Sequence, residues 1–299
     1  MNEPTGADGA SYTRTAPAAA GSVDLHAHTT ASDGARSPLE TVTAAAGAGL
    51  AALAITDHDT VGGVAAAIAA AAAFGVRIVP GIELSVFDGD REVHLLGLHL
   101  DRLELIEDAL ADIRDARVAR AVTIVGKLNA LGVPVTVEAV LAEAAGGAVG
   151  RPHVARAIIA GGWARDQRDA FDRYLGAGRP ANVEKRRLEL AEGIRLVHEA
   201  GGIAVVAHPG PDGRREFVEP AVAMGLDGLE VRHPGHSAED VRRIAALVRH
   251  FDLVPSGGSD WHGAATGPRV LGSQLVPPEW LALQDARVAA RRAERVANA

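Results

Sequence analysis

Short apolar runs separated by Ala-rich helical stretches organise the first hundred residues. Val23 and Leu25 alternate with polar neighbours, which predicts a strand running into the turn Ser32-Asp33-Gly34. Ser37-Pro38-Leu39-Glu40 predicts a helix start, with Ser37 as N-cap, Pro38 at the first helical position and Glu40 closing a capping box; the helix runs to about Gly49. Residues 51–55 form a second apolar run that opens into Thr56-Asp57-His58-Asp59-Thr60, where Asp59 or Thr60 suits the N-cap of the next helix, ending at Gly75. Residues 76–79 read as a third strand closed by Pro80-Gly81-Ile82-Glu83, and residues 92–99 as a fourth carrying His94 near its start.

The alternation breaks after Asp101. Leu103, Ile106, Leu110 and Ile113, then Val122, Val125, Leu128 and Leu131, fall at helical spacing. Shorter helical pieces follow near 137–145, 153–160 and 167–175, broken by Gly146-Gly147 and Gly161-Gly162. Alternation resumes with a helix over 188–200, a strand over 203–207 ending in His208-Pro209, a helix near 218–224, and strands at 228–231 and 252–255. A last helix from Pro278 is expected to carry its arginines on an outer face. Strands alternating with helices signal a parallel sheet or barrel. Seven strands, starting near residues 22, 51, 76, 92, 203, 227 and 252, predict an α/β fold: a distorted seven-stranded (β/α) barrel with a helical insertion. The expected division is a disordered tail over 1–21, a barrel over 22–101 and 179–299, and an insertion over 102–178 that selects substrate.

Composition narrows the function classes. A net charge of −8 argues against a broad nucleic-acid-binding face, so no stable DNA complex is expected. With no cysteine, any metal must sit on His and carboxylates. No apolar run reaches membrane-spanning length, and the first twenty residues lack the apolar core of a signal peptide, which predicts a cytoplasmic protein without a membrane partner.

Candidate chemistry gathers where strands end. His26 and His28 are two residues apart and share a strand face, so both imidazoles can reach one ion, with Asp33 following on the turn. Asp57, His58, Asp59, Glu83, His94, His208, Glu230, Asp260 and His262 lie at or near later strand ends, the rim on which parallel barrels build their sites. Imidazoles and carboxylates without sulfur suit Mn²⁺, Zn²⁺ or Fe²⁺. His99, His198 and His250 have no such context and read as structural or surface residues.

Asp24-Leu25-His26-Ala27-His28-Thr29, Ser32-Asp33-Gly34, Thr56-Asp57-His58-Asp59, Gly81-Ile82-Glu83, His208-Pro209 and Gly258-Ser259-Asp260-Trp261-His262 resemble, in order, the motifs of the PHP (polymerase and histidinol phosphatase) family over about residues 22–275. The insertion, its Gly150-Arg151-Pro152-His153-Val154-Ala155 segment and Glu230-Val231-Arg232-His233-Pro234-Gly235-His236-Ser237 are most similar to the bacterial 3′,5′-nucleoside bisphosphate phosphatases and 5′-to-3′ oligoribonucleases. The chain departs from that group at Asn182, where relatives often carry an aromatic before the valine.

The resemblance implies three divalent ions, Mn²⁺ foremost. His26, His28, Glu83 and Asp260 would surround one ion, His94 and His208 a second with Glu83 bridging, and Asp33, His58 and His262 the third. It implies hydrolysis of a small phosphate ester or nucleotide, a 3′,5′-nucleoside bisphosphate giving the 5′-monophosphate, with short RNA as a further substrate. Ions a few Å apart offset the ester's negative charge and supply hydroxide at neutral pH. His233 and His236 are the candidates for phosphate binding or leaving-group departure, and Asp59 for orienting His58. Arg151, His153 and Arg156, at helical spacing, offer donors for a second phosphate, with His236 also near the substrate.

Three other readings compete. A urease-type amidohydrolase needs a bridging lysine at a late strand end, and Lys127 and Lys185 are misplaced for it. A histidinol-phosphate phosphatase or other small-molecule phosphatase shares the metal motifs but not the insertion. A non-catalytic metal-binding module would be expected to have lost ligands, whereas all nine are present.

Overall fold

The computed structural model describes residues 21–144, 149–184 and 187–297. The expected tail up to residue 20, the Gly146-Gly147 break and Lys185 lie outside the described residues. Seven strands form one sheet in chain order: β1 (Val23–Asp24), β2 (Ala52–Ile55), β3 (Arg77–Asp88), β4 (Arg91–Leu98), β5 (Ile203–Val206), β6 (Gly228–Arg232) and β7 (Val254–Gly257). The Leu25 N–H donates to Gly257 O at 3.0 Å, and Ala27 bridges Trp261 in parallel. The last strand thus returns to the first, and the sheet curls into a nearly closed barrel.

The third strand departs from the expected alternation. Pro80-Gly81-Ile82-Glu83 does not end it; the chain stays extended for 12 residues to Asp88. It turns at Gly89-Asp90, with Gly89 at φ 61°, and comes straight back as β4. This two-residue hairpin needs no crossover helix, and both the β3–β4 and β4–β5 pairs are antiparallel while the other pairs between neighbouring strands are parallel. Gly81 permits the register, because a Cβ there would stand 3.0 Å from the carbonyl oxygens of Gly97 and Ile55.

Helix α1 (Pro38–Gly47) starts at the expected capping box: Ser37 Oγ accepts from the Glu40 N–H, and the Glu40 carboxylate accepts from the Ser37 N–H at 2.8 Å. Helix α2 (Val64–Ala71) does not use the expected cap. It begins after Gly63, because the preceding loop is held down on β3: Asp59 Oδ1 accepts from the Ser85 N–H at 2.9 Å, and Thr60 Oγ1 from the Gly62 N–H.

Since β4 descends, its end emerges at the far side of the barrel from the β3 hairpin. Helix α3 (Leu103–Ala130) climbs from there and at 28 residues is about 42 Å long. Its first half packs Ile106, Leu110 and Ile113 on the barrel's outer core. Its second half places Ile124, Val125 and Leu128 in a separate apolar cluster with α4 (Val137–Ala144), α5 (Arg151–Ala160), and α6 (Gln167–Ala170) with its π-helical continuation Phe171–Leu175.

The barrel then resumes with α7 (Leu190–Glu199), α8 (Arg215–Ala223), α9 (Ala238–His250) and α10 (Pro278–Ala297). Inside it, Leu25, Ala54, Val79, Leu96, Leu98 and Val205 pack on Leu281 and Val288 of α10, which stoppers the N-terminal ends of the strands. The expected outward arginines are therefore corrected. Arg291 and Arg292 reach back under the barrel to the carbonyls of Gly225 and His99. The opposite end is left open. No helix among the described residues is long and apolar enough to cross a membrane.

Candidate metal centre at the barrel mouth

Glu83 lies midway along β3 rather than at its end, and the overshooting hairpin makes it the middle of the mouth. It is 1 % exposed. Oε1 stands 2.8 Å from His94 Nδ1 and 2.9 Å from His208 Nε2. Oε2 stands 3.1, 3.2 and 3.3 Å from nitrogens of His26, His28 and His58. Five imidazoles therefore converge on one buried carboxylate.

The backbone around the mouth is bent to allow this. His208 and Asp260 have φ of 28° and 51°, the left-handed region that non-glycine residues avoid, and such strain clusters at functional sites. At Gly258 a Cβ would fall 2.5 Å from His26 Cβ, so only glycine lets the Asp260 turn close on the first motif. The buried Asp24 carboxylate ties the same seam, accepting from the N–H groups of Ser259 at 2.9 Å and Gly272 at 2.8 Å. Asp57 serves a similar purpose: it accepts from the Thr29 N–H at 2.7 Å and Ser32 Oγ at 2.8 Å, bracing the loop that carries Asp33.

The ligand atoms form three overlapping sets, each within 4.8 Å: His26, His28, Glu83 and Asp260; His58, Glu83 and His94; and His28, Asp33, His58 and His262. The structure thus brings together eight of the nine sequence-assigned ligands in these sets, and His208 joins them through its contact with Glu83 Oε1. His28 and His58 each belong to two sets, where the sequence reading gave each of them one.

The electrostatics suit divalent cations. Both ring nitrogens of buried His28 lack a hydrogen-bond partner, although Glu83 Oε2 and Asp260 Oδ1 each lie 3.2 Å from Nε2. Burial pushes the Glu83 carboxyl up, but the His26 charge and the imidazole hydrogen bonds hold it well below the usual carboxylate range. Burial likewise opposes ionisation of Asp260, and the His233 hydrogen bond, the His28 ring 3.2 Å away and the charge of His26 override it. Burial would lower His26, yet Glu83 and Glu230 raise it well above the ordinary imidazole value. The site thus sets anionic carboxylates among imidazole nitrogens, the donor types that a divalent ion takes.

Several outer groups hold the inner ones. Glu230, fully buried, faces His26 Nδ1 at 3.1 Å and accepts from the His208 N–H at 2.6 Å. It fixes which His26 nitrogen faces the mouth, a carboxylate–histidine pairing typical of metal sites. His262 Nδ1–H donates to the Asp260 carbonyl at 2.9 Å, which leaves Nε2 for Asp33 at 3.2 Å.

Three of the assigned residues have these partners. His233 Nδ1 accepts from the Gly235 N–H at 3.0 Å while Nε2 faces Asp260 Oδ2 at 3.2 Å, so the ring steadies that carboxylate. His236 is spent on both sides: Nδ1–H donates to Val231 O and Nε2 accepts from the Gly210 N–H, locking two loops together. Asp59 braces β3 at Glu83 and just beyond it, its own N–H donating to Glu83 O and its carboxylate accepting from the Ser85 N–H.

In the insertion, Arg151 donates to Leu175 O and Asn182 Oδ1, and His153 Nδ1 accepts from the Gly150 N–H in a helix cap. Arg156 pairs with Glu143 at 2.8 Å on the surface. The sequence reading missed Arg120, which donates to Val183 O at 2.7 Å, and gave Lys127, which donates to Asn182 O at 2.8 Å, no part in the site. Arg269 was also missed. It donates to Asp260 Oδ2 from a loop with no motif to flag it.

This geometry defines a barrel hydrolase built around a cluster of divalent-metal ligands. Residues 24–123 match the PHP domain family. The chain is 36 % identical over 264 residues to a 3′,5′-nucleoside bisphosphate phosphatase of Chromobacterium violaceum, covering 86 % of this chain and 93 % of the relative. It is 37 % identical over 245 residues to a 5′-3′ exoribonuclease of Haemophilus influenzae, covering 80 % and 89 %. Among solved structures, a chain from Bifidobacterium adolescentis described as a metal-dependent phosphoesterase superposes with a TM-score of 0.63 at 34 % identity, covering 90 % of this chain and 97 % of that one. The protein belongs to the PHP family and is a metal-dependent phosphoesterase.

Proposed function

We propose that the enzyme removes the 3′-phosphate from nucleoside 3′,5′-bisphosphates, leaving the 5′-monophosphate, and that short RNA is a further substrate. The observation that carries the hydrolytic reading is the convergence of five imidazoles on Glu83, flanked by Asp260 and Asp33. We assign His26, His28, Glu83 and Asp260 to one ion, Glu83, His94 and His208 to a second, and Asp33, His58 and His262 to a third, with Mn²⁺ the preferred metal. When bound, such ions offset phosphate charge and acidify water. The protein's part is positional: Glu230, His233 and Arg269 hold His26 and Asp260 from behind, and the braced hairpin keeps Glu83 central.

Selection of a doubly phosphorylated substrate is assigned to the insertion, acting as a substrate-specificity subdomain over 102–178. Arg120, Lys127 and Arg151 gather around Asn182 and Val183. Among the described residues none of them forms an ion pair. Burial and then the nearby Arg151 charge lower the Arg120 pKa, so an anion placed there would relieve both guanidinium groups. The relatives' phosphatase and exoribonuclease activities support the same class of substrate.

A phosphate-release screen with Mn²⁺ tests this, run over nucleoside 2′-, 3′- and 5′-phosphates, 3′,5′-bisphosphates, short RNA and histidinol phosphate. The bisphosphates are expected to show the highest kcat/KM, and a preference for histidinol phosphate would overturn the reading. Arg151→Ala should raise KM for a bisphosphate by the equivalent of roughly 1.5–3 kcal/mol, as for a lost charge-assisted hydrogen bond, and should affect a simple monoester much less.

A further inference from the structure

The barrel rim has a notch beside the metal centre. β5 stops pairing at Val206, opposite Leu95, and Ala207 makes one last backbone bond to His94 O. Above that level β4 continues to Arg91 with no strand on this side among the described residues. The gap is a cavity of about 370 Å³, lined by His94 and His208 at its inner end and by Arg91, Glu92, Asp212 and Phe217 toward solvent. His94 and His208 are the two rings that share Glu83 Oε1, so whatever fills the notch touches the centre directly.

The geometry points to this notch as the seat of the nucleobase of the substrate. The inference rests on the nucleotide reading above and adds to it which part of the nucleotide is recognised, and where.

Three features select a base over the other parts of a nucleotide. Its volume lies in the range of small-molecule sites, roughly 300–1,000 Å³. Its outer wall is a flat stack: the Arg91 guanidinium sits over the Phe217 ring, 4.1 Å from the centroid, and is steadied by Asp88 at 3.2 Å. Aromatic rings and guanidinium planes are the surfaces on which unpaired bases stack. Its charge is wrong for a second phosphate, since Arg91 Nη1 already has Asp212 Oδ2 at 3.9 Å and Glu92 adds a further carboxylate to the lining. Carboxylates there accept from N–H donors, and exocyclic amines on adenine, cytosine and guanine supply them. Uracil has no such amine.

Steady-state kinetics with Mn²⁺ on adenosine and uridine 3′,5′-bisphosphates and on base-free ribose 3,5-bisphosphate test the assignment. For the wild type, KM should be about tenfold lower for the adenosine compound than for the base-free one, with kcat little changed. Phe217→Ala should erase that advantage while leaving the base-free KM within about twofold. Asp212 is 73 % exposed at its side chain, so Asp212→Asn leaves the fold intact. It should raise KM for the adenosine compound about threefold and leave the uridine compound unchanged, and it decides the matter if Phe217→Ala does not fold. Equal wild-type KM values with and without the base, or variants that shift all three substrates alike, overturn the notch alone. A wild type that hydrolyses none of the three overturns the nucleotide reading and the notch with it.

Discussion

The two ends of the barrel use the same residue types to opposite effect. Under the closed end, Asp227 is fully buried, yet each oxygen has a partner: Arg291 on one side, His198 Nε2 at 2.7 Å and the Ala204 N–H at 3.0 Å on the other. His99 nearby meets Gln284 at 3.2 Å, and Gln284 donates on to Pro255 O. At the open end, Glu83 has five imidazoles and no guanidinium, the His28 and His262 rings lie 4.1 Å apart centroid to centroid, and both His28 nitrogens are orphaned. A buried ionisable cluster that satisfies itself is architecture. One that satisfies itself only with added cations is a binding site.

The sharpest way to break the comparison is Glu83→Gln. At the mouth this removes a charge shared between donor sets, so bound metal should fall by about two equivalents and turnover by about 10³-fold or more. The folded barrel should survive, since no apolar contact is lost. Metal analysis with circular dichroism checks it, and loss of a single equivalent would make Glu83 a terminal ligand.

Asp227→Ala should do the reverse. It strands the Arg291 charge and the His198 ring, which costs about 3–5 kcal/mol of stability, while metal content per folded molecule stays at the wild-type level. Denaturant unfolding followed by metal analysis reads both.

A smaller effect is expected from Glu230→Gln, which keeps the shape but weakens the hold on His26. Metal affinity or turnover should drop about 10–100-fold, the usual cost of losing such a support. A drop as large as that of Glu83→Gln would place Glu230 among the ligands themselves.

The smallest effect belongs to a carboxylate in neither cluster. Asp240 in the first turn of α9 is lowered from 3.8 to about 2 by hydrogen bonds from Ser237 and Arg243. Because the folded value is depressed, its contribution is present above pH 3.8 and fades as pH falls through about 2. Wild type should therefore be more stable than Asp240→Asn at pH 5, with the gap closing toward pH 2 in thermal melts.

What could be read from the sequence follows the range of each interaction. The Ser37 capping box and the strand starts were legible because local rules decide them. The Asp-Gly-Asp turn at residues 88–90 signals a hairpin, but the regular βα rhythm before it concealed a strand that turns back without a helix. Helix α9 was overlooked despite its own Ser237/Asp240 box. The ligand motifs were legible as residue types, whereas the burden on Glu83 was not, because it depends on five strands and loops meeting at one point. Both His233 and His236 suggested acid–base chemistry by type, and only the fold shows which partner each ring nitrogen has. Arg269 and Arg120 lie outside any motif, and long-range contacts alone reveal them.

The downward course of β4 has a consequence for how the insertion is aimed. Its helices hang from the far end of α3, a single mast rooted at the closed end of the barrel and free of proline. Each residue added to that mast or taken from it raises or lowers the load by about 1.5 Å and swings it by about 100°. Direction is therefore far more sensitive than height. Four residues, close to one full turn, shift the insertion by about 6 Å and leave its heading about 40° away, while one residue swings it by about 100°. Length changes in this helix thus act as a dial with discrete settings, and natural or designed variants that keep the insertion's heading should differ in α3 by near-whole turns.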